Sequence, residues 1–151
     1  MGTRYKGRAA EVRALDAYIK LLRAASSVSA RLEKRLDERG LTETQFGVLE
    51  ALHHVGPMCQ KMIGEKVLKS GGNITVVVDN LEKRRLVRRV RDDADRRYVT
   101  VSLTEEGKAV VERLLPGHVG AIVEELGALS AAEQEELGRL CRKLGRGGRR
   151  G

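Results

Sequence analysis

Apolar residues recur at helical spacing along most of this chain, and one stretch changes period. Val12, Leu15, Ile19 and Leu22, continued by Leu32 and Leu36, form a stripe from about Arg8 to Arg39. It predicts a long helix, stopped at Gly40 by a left-handed cap. Such a stripe exceeds what one small domain can cover, so the helix is expected to pack against a partner chain as well as its own. Thr42-Glu43-Thr44-Gln45 reads as a capping box, with Thr42 as cap and Gln45 reaching back. Phe46, Val48, Leu49 and Leu52 follow as the face of a second helix, ended by Gly56-Pro57. Cys59 to Leu68 reads as a short third helix with Met62, Ile63 and Val67 inward. After a break at Ser70-Gly71-Gly72, a fourth helix runs from about Gly72 to Arg84.

The period then shortens. Leu86, Val87 and Val90, then Tyr98, Val99, Val101 and Leu103, read as two short strands. Between them Arg91 to Arg97 is too polar for burial, which makes a hairpin with a charged tip, a wing. Thr104 caps the next helix, with Glu105 and Glu106 at its positive end. Its stripe is Val110, Val111, Leu114 and Leu115. Pro116-Gly117 is expected to kink or interrupt it before Val119, Ile122, Val123 and Leu126 resume the pattern. Ser130 to Glu133 is a second capping box, opening a last helix with Leu137, Leu140 and Leu144. The Gly/Arg-rich remainder is expected to be disordered. The fold class is thus mainly α with a small β-hairpin wing, a winged helix-turn-helix.

On the fourth helix Ile74, Val77, Val78 and Leu81 fall on one side and predict a core face. Gly72, Asn73, Val76, Asn80 and Lys83 fall on the other, with Thr75 on the flank. That outer face is small and uncharged at its start and basic at its end, which suits a helix whose N-terminus enters a major groove. Asn73 could pair with adenine and Val76 could touch a thymine methyl. Ser70 and Gly71 would leave the first amides open to a phosphate. The competing reading is an ordinary solvated face, which would usually carry more Glu and Lys.

Composition sharpens this picture. With no Trp, one Phe and three Tyr, the core must be built from aliphatic residues, which favours packed helices. Twenty-nine basic residues exceed twenty-one acidic ones, and the net charge of +8 attracts polyanions. Between Gln60 and Val101 eleven basic residues face six acidic ones, so most of the excess lies in the helix-turn-helix and wing. Lys61, Lys69, Lys83, Arg96 and Arg97 are candidate DNA contacts there. Arg97 beside Asp95 is a candidate minor-groove arginine, held in a fixed fork by its neighbour. The alternative is a plain surface ion pair.

The ordered set of these pieces resembles the multiple antibiotic resistance regulator (MarR) family of winged-helix repressors. The resemblance rests on Leu41 to Leu49, Asn73-Ile74-Thr75 leading into Val77 to Arg84, Leu86-Val87-Arg88-Arg89, Asp95-Arg96-Arg97 and Leu103 to Gly107. It implies a triangular homodimer held by the first and last helices. It implies that Ser70 to Val76 read the major groove of a near-palindromic operator, with Arg97, oriented by Asp95, in the minor groove. It also implies release by a small ligand or an oxidant. The expected organisation is one integrated domain: an N-terminal dimerisation helix (1–39), a DNA-binding lobe (40–103), C-terminal dimerisation helices (104–145) and a disordered basic tail (146–151). Two positions depart from the family. Arg85 stands where Gly is usual, so it must adopt a left-handed conformation at about 1 kcal/mol, or the turn and wing angle differ. Val76 stands where a basic residue is frequent, so base preference does not transfer.

Cys59, near the start of the third helix, is a candidate redox thiol, against the plainer reading of a small buried cysteine. Cys59 and Cys141 form no disulfide framework or metal pair, and His53, His54 and His118 form no visible ligand cluster. No metal or cofactor is expected, and no catalytic constellation or phosphate-cradling loop is visible, so the chain is not expected to be an enzyme. No leader or membrane span is apparent, which predicts a cytoplasmic protein. The expected partners are double-stranded operator DNA, a second copy of the chain and an unidentified small-molecule inducer. The inducer pocket is expected among the first, second and fifth helices. The alternative function is a winged-helix module that binds a protein or RNA partner.

Overall fold

A computed structural model describes residues 2–67 and 71–147. Among the described residues six helices and one hairpin follow in the order α1 (Ala9–Asp37), α2 (Glu43–Val55), α3 (Gln60–Val67), α4 (Gly71–Lys83), β1 (Val87–Arg91), β2 (Val99–Leu103), α5 (Glu105–Leu126) and α6 (Ala131–Gly145). The chain divides into two compact units, Met1–Pro116 and Gly117–Gly151.

In the first unit the apolar faces meet in one core. Phe46, Leu49 and Leu52 of α2, Ile63 of α3, and Ile74, Val78 and Leu81 of α4 pack with Val87, Val101, Val111 and Leu114. Burying each such side chain contributes about 1.5–3 kcal/mol. The expected inward face of α4 is confirmed, with Val77 partly buried beside it. Met62 is a correction: it is 45% exposed. Ile63 and Val67 share one face of an eight-residue helix, and Met62, one residue earlier, is rotated about 100° away from it.

Turn chemistry sets the elements in place. At the end of α1 the Gly40 N–H donates to the Asp37 carbonyl and the Leu41 N–H to the Leu36 carbonyl, with Gly40 at φ 77°. Leu36 and Leu41 are both buried, the apolar contact that accompanies this type of cap. The Thr42 box forms in both directions: Gln45 N–H donates to Thr42 Oγ1, and Thr42 N–H to Gln45 Oε1, each at 3.0 Å. At the end of α4 the same pattern recurs with Arg85 in the glycine's place, at φ 61°. Arg85 N–H donates to the Glu82 carbonyl and Leu86 N–H to the Leu81 carbonyl. Arg85 therefore adopts the left-handed conformation, the first of the two expected alternatives, at the cost of strain. Thr104 holds this turn from below, its N–H donating to the Leu86 carbonyl and its hydroxyl to that of Arg85 at 2.7 Å.

β1 and β2 pair antiparallel, with Val87 opposite Leu103 and Arg91 opposite Val99. Met58 adds a backbone bridge to Val101, tying the start of α3 to the hairpin.

α5 runs from Glu105 to Leu126 with Pro116 inside it, so of the expected kink or interruption at Pro116-Gly117 the interruption does not occur. A proline removes one backbone hydrogen bond, and the helical apolar pattern on both sides carries the element past it. In the second unit Ser130 caps α6 as expected, accepting from Glu133 N–H at 3.2 Å. Of the expected tail, Arg146 and Gly147 still bond back onto α6, and residues 148–151 lie outside the described residues.

Candidate nucleic-acid interface

Burial of Ile74, Val78 and Leu81 turns the opposite face of α4 outward. Asn73, Thr75, Val76, Asn80 and Lys83 are all exposed, Val76 at 59%. An apolar side chain, Val76, is thus presented to water in the middle of that face. Lys61 is exposed on the first turn of α3. Gly71 and Gly72 begin α4, and Lys69 and Ser70 lie outside the described residues.

The wing tip is ordered by its own aspartates. Asp92 Oδ1 accepts from Ala94 N–H at 2.7 Å and Asp95 N–H at 2.9 Å, closing the turn. Arg97 then donates to Asp95 as a fork, Nε to Oδ1 at 3.0 Å and Nη2 to Oδ2 at 2.8 Å. The Arg97 N–H adds a third bond to Oδ1 at 3.1 Å. These bonds from Arg97 hold the Asp95 carboxyl below its usual range, and the carboxylate in turn raises the Arg97 guanidinium. The Arg97 side chain is nevertheless 89% exposed. It is thus oriented without being covered, as are the forked surface pairs Arg8–Glu11 and Arg139–Glu136. Arg96 is exposed beside it, and its carbonyl accepts from Arg91 Nη1 at 2.9 Å.

One cluster was not anticipated from the sequence. Arg89 of β1 forms ion pairs with Asp79 at 2.7 Å and Glu82 at 3.0 Å, both on α4. Its guanidinium also donates to Gln60 Oε1 of α3, from Nη2 at 2.9 Å and Nε at 3.2 Å. Gln60 Nε2 in turn donates to Thr75 Oγ1 at 3.0 Å. The signal was strand alternation: Arg89 is two residues from the buried Val87 and so points the same way. Val90, read from the sequence as part of the apolar pattern, is 47% exposed instead.

The remaining candidates are scattered. Cys59 is partly buried just before α3, and Cys141 is exposed on α6. His53 and His54 pack edge to face and approach different carboxylates, Glu112 at 3.9 Å and Glu50 at 3.8 Å. Among the described residues no group of three or more His, Cys, Asp and Glu could hold a metal ion. Nor is any helix among them long and apolar enough to cross a membrane. A groove of about 510 Å3 opens between α1, α2 and α3, lined by Ser29, Glu43, Gly47, Glu50, His54 and Lys66 among others. No residue of α5 lines it, unlike the pocket expected from the sequence; small Gly47 and Ala51 on α2 leave the space against Val67.

Comparison with known proteins agrees with this architecture. The sequence model of the MarR family matches residues 39–97, the helix-turn-helix and wing. The transcriptional regulator MhqR of Bacillus subtilis is 35% identical over 133 residues, covering 88% of this chain and 92% of that protein. A probable transcriptional regulator from Pseudomonas aeruginosa superposes with a TM-score of 0.71 at 34% identity, over 81% of this chain and 92% of its own. BpsR of Bordetella bronchiseptica, whose DNA binding is regulated by 6-hydroxynicotinic acid, superposes with a TM-score of 0.79 at 29% identity, over 85% and 98%. A left-handed turn after α4, a wing arginine forked by its aspartate and near full-length similarity to a curated regulator converge on one identity: this chain belongs to the MarR family of winged helix-turn-helix transcriptional regulators.

Proposed function

We propose that this protein is a cytoplasmic, non-enzymatic repressor that binds a near-palindromic operator as a homodimer and is released by a small ligand. The observation that carries it is the pairing of an exposed, small and polar face on α4 with an exposed wing arginine already fixed by Asp95. Ser70, Gly71, Gly72, Asn73, Thr75, Val76 and Asn80 meet the major groove, Lys61, Lys69 and Lys83 the phosphates, and Arg96 and Arg97 the minor groove. Residues 40–103 form the reading lobe, and 1–39 with 104–145 form the dimer contact. Exposed Tyr18 and Leu22 on α1, and Leu137, Leu140 and Leu144 on α6, support that contact. BpsR supports a small organic inducer.

The experiment is operator titration with two variants. Arg97→Ala is expected to weaken binding roughly tenfold or more, and Asn73→Ala to relax base preference at one position of each half-site. If both bind and discriminate as the parent does, the assigned surface is wrong. Cys59 is the competing device for release. If Cys59→Ser releases DNA under peroxide or quinone just as the parent does, the thiol has no part in it.

A further inference from the structure

The cluster around Arg89 has no task in the reading above, and its geometry supplies one. Resting on that reading, we propose that Arg89 is a positioning residue for DNA: it staples the wing strand to the recognition helix, so that the two grooves are engaged by one rigid unit.

The guanidinium meets acceptors on two other elements at once, Asp79 and Glu82 of α4 and Gln60 of α3. Glu82 grips β1 a second time, accepting from the Arg89 backbone N–H at 3.0 Å. Two carboxylates neutralise this arginine and its side chain is only 24% exposed, so it is poorly placed to hold a phosphate. Its exposed neighbours on β1, Arg88 and Arg91, lie beside it without that enclosure. The staple also reaches the reading face. A guanidinium only donates, so Gln60 must turn its amide oxygen to Arg89 and its Nε2 to Thr75 on the exposed side of α4. In the other direction β1 continues from Arg89 to Arg91, which holds the Arg96 carbonyl next to Arg97. A continuous set of bonds therefore runs from Thr75 to the wing tip through three elements. Holding two contact points rigidly lowers the ordering cost of the second contact once the first has formed.

The test separates positioning from charge by sign. The double variant Asp79→Asn/Glu82→Gln keeps Arg89 and removes two negative charges. Electrostatics alone would then tighten DNA binding. Positioning requires weaker operator binding, by roughly tenfold. It also requires that Arg97→Ala lose most of its effect in that background, since a detached wing has little left to lose. Arg89→Lys keeps the charge but not the fork, and is expected to behave like the double variant. Circular dichroism and thermal unfolding select a temperature at which each variant is folded, and Glu82→Gln alone replaces the double variant if that one does not fold. Operator affinity equal to or above the parent's overturns the proposal, as does an undiminished Arg97→Ala effect or full binding by Arg89→Lys. The parent is measured against operator and scrambled duplex in parallel. A parent without preference defeats the DNA reading and this proposal with it, whereas a discriminating parent with unchanged variants defeats the positioning role alone.

Discussion

Gly40 and Arg85 end two helices in the same left-handed conformation, and the second does so with a side chain that opposes it. The bonds around Arg85 compensate: Leu81 and Leu86 are buried on either side, and the Thr104 hydroxyl accepts from Gly107 N–H while donating to the Arg85 carbonyl. Arg85→Gly should relieve the strain and stabilise the protein by about 0.5–1 kcal/mol, part of the gain being lost to glycine's freer unfolded state. Thermal unfolding at fixed protein concentration checks this; a lower Tm would show that the Arg85 side chain contributes more than its backbone costs. Asp95 gives a second test. Its bonds to Arg97 lower its folded-state pKa below the ordinary 3.8, so the clamp contributes fully above that value and is lost as pH falls through the lowered one. From pH 5 to 8 the fork should stay intact, and a carboxyl titration followed by NMR should return toward 3.8 in Arg97→Ala. The Asp95–Arg97 pair was legible in the sequence because its members are two positions apart. Arg89 was not, because its partners lie between seven and twenty-nine positions away.

At the scale of elements, caps and periods were readable because they depend on neighbours in sequence. Thr42, Thr104 and Ser130 all cap as their surroundings require. Met62 was misjudged because it was read locally, whereas helix faces are decided by what packs alongside. Gly107 shows the same dependence. A Cβ there would lie 2.0 Å from the Leu86 carbonyl oxygen, on the turn that launches the wing. Gly107→Ala should therefore cost about 2 kcal/mol or more, because backbone is what must move. Urea unfolding checks it, and a change within about 0.5 kcal/mol would mean that α5 and the turn separate freely.

At the scale of the molecule, the single chain leaves apolar residues on α1 and α6 in water, and no residue of α6 is buried. These residues support the dimer contact proposed above. Leu140→Glu should shift the sedimenting species from dimer toward monomer and weaken operator binding with it; an unchanged dimer would place the contact elsewhere. Whether this basic surface reads sequence is decided by its affinity for the DNA upstream of the protein's own gene against a scrambled duplex, across a salt series. A clear preference for the upstream DNA is expected, roughly a thousandfold, with affinity for both falling steeply as salt rises. Equal, weak binding to the two duplexes at every salt concentration would contradict it, and would leave the +8 charge as an attraction for polyanions in general.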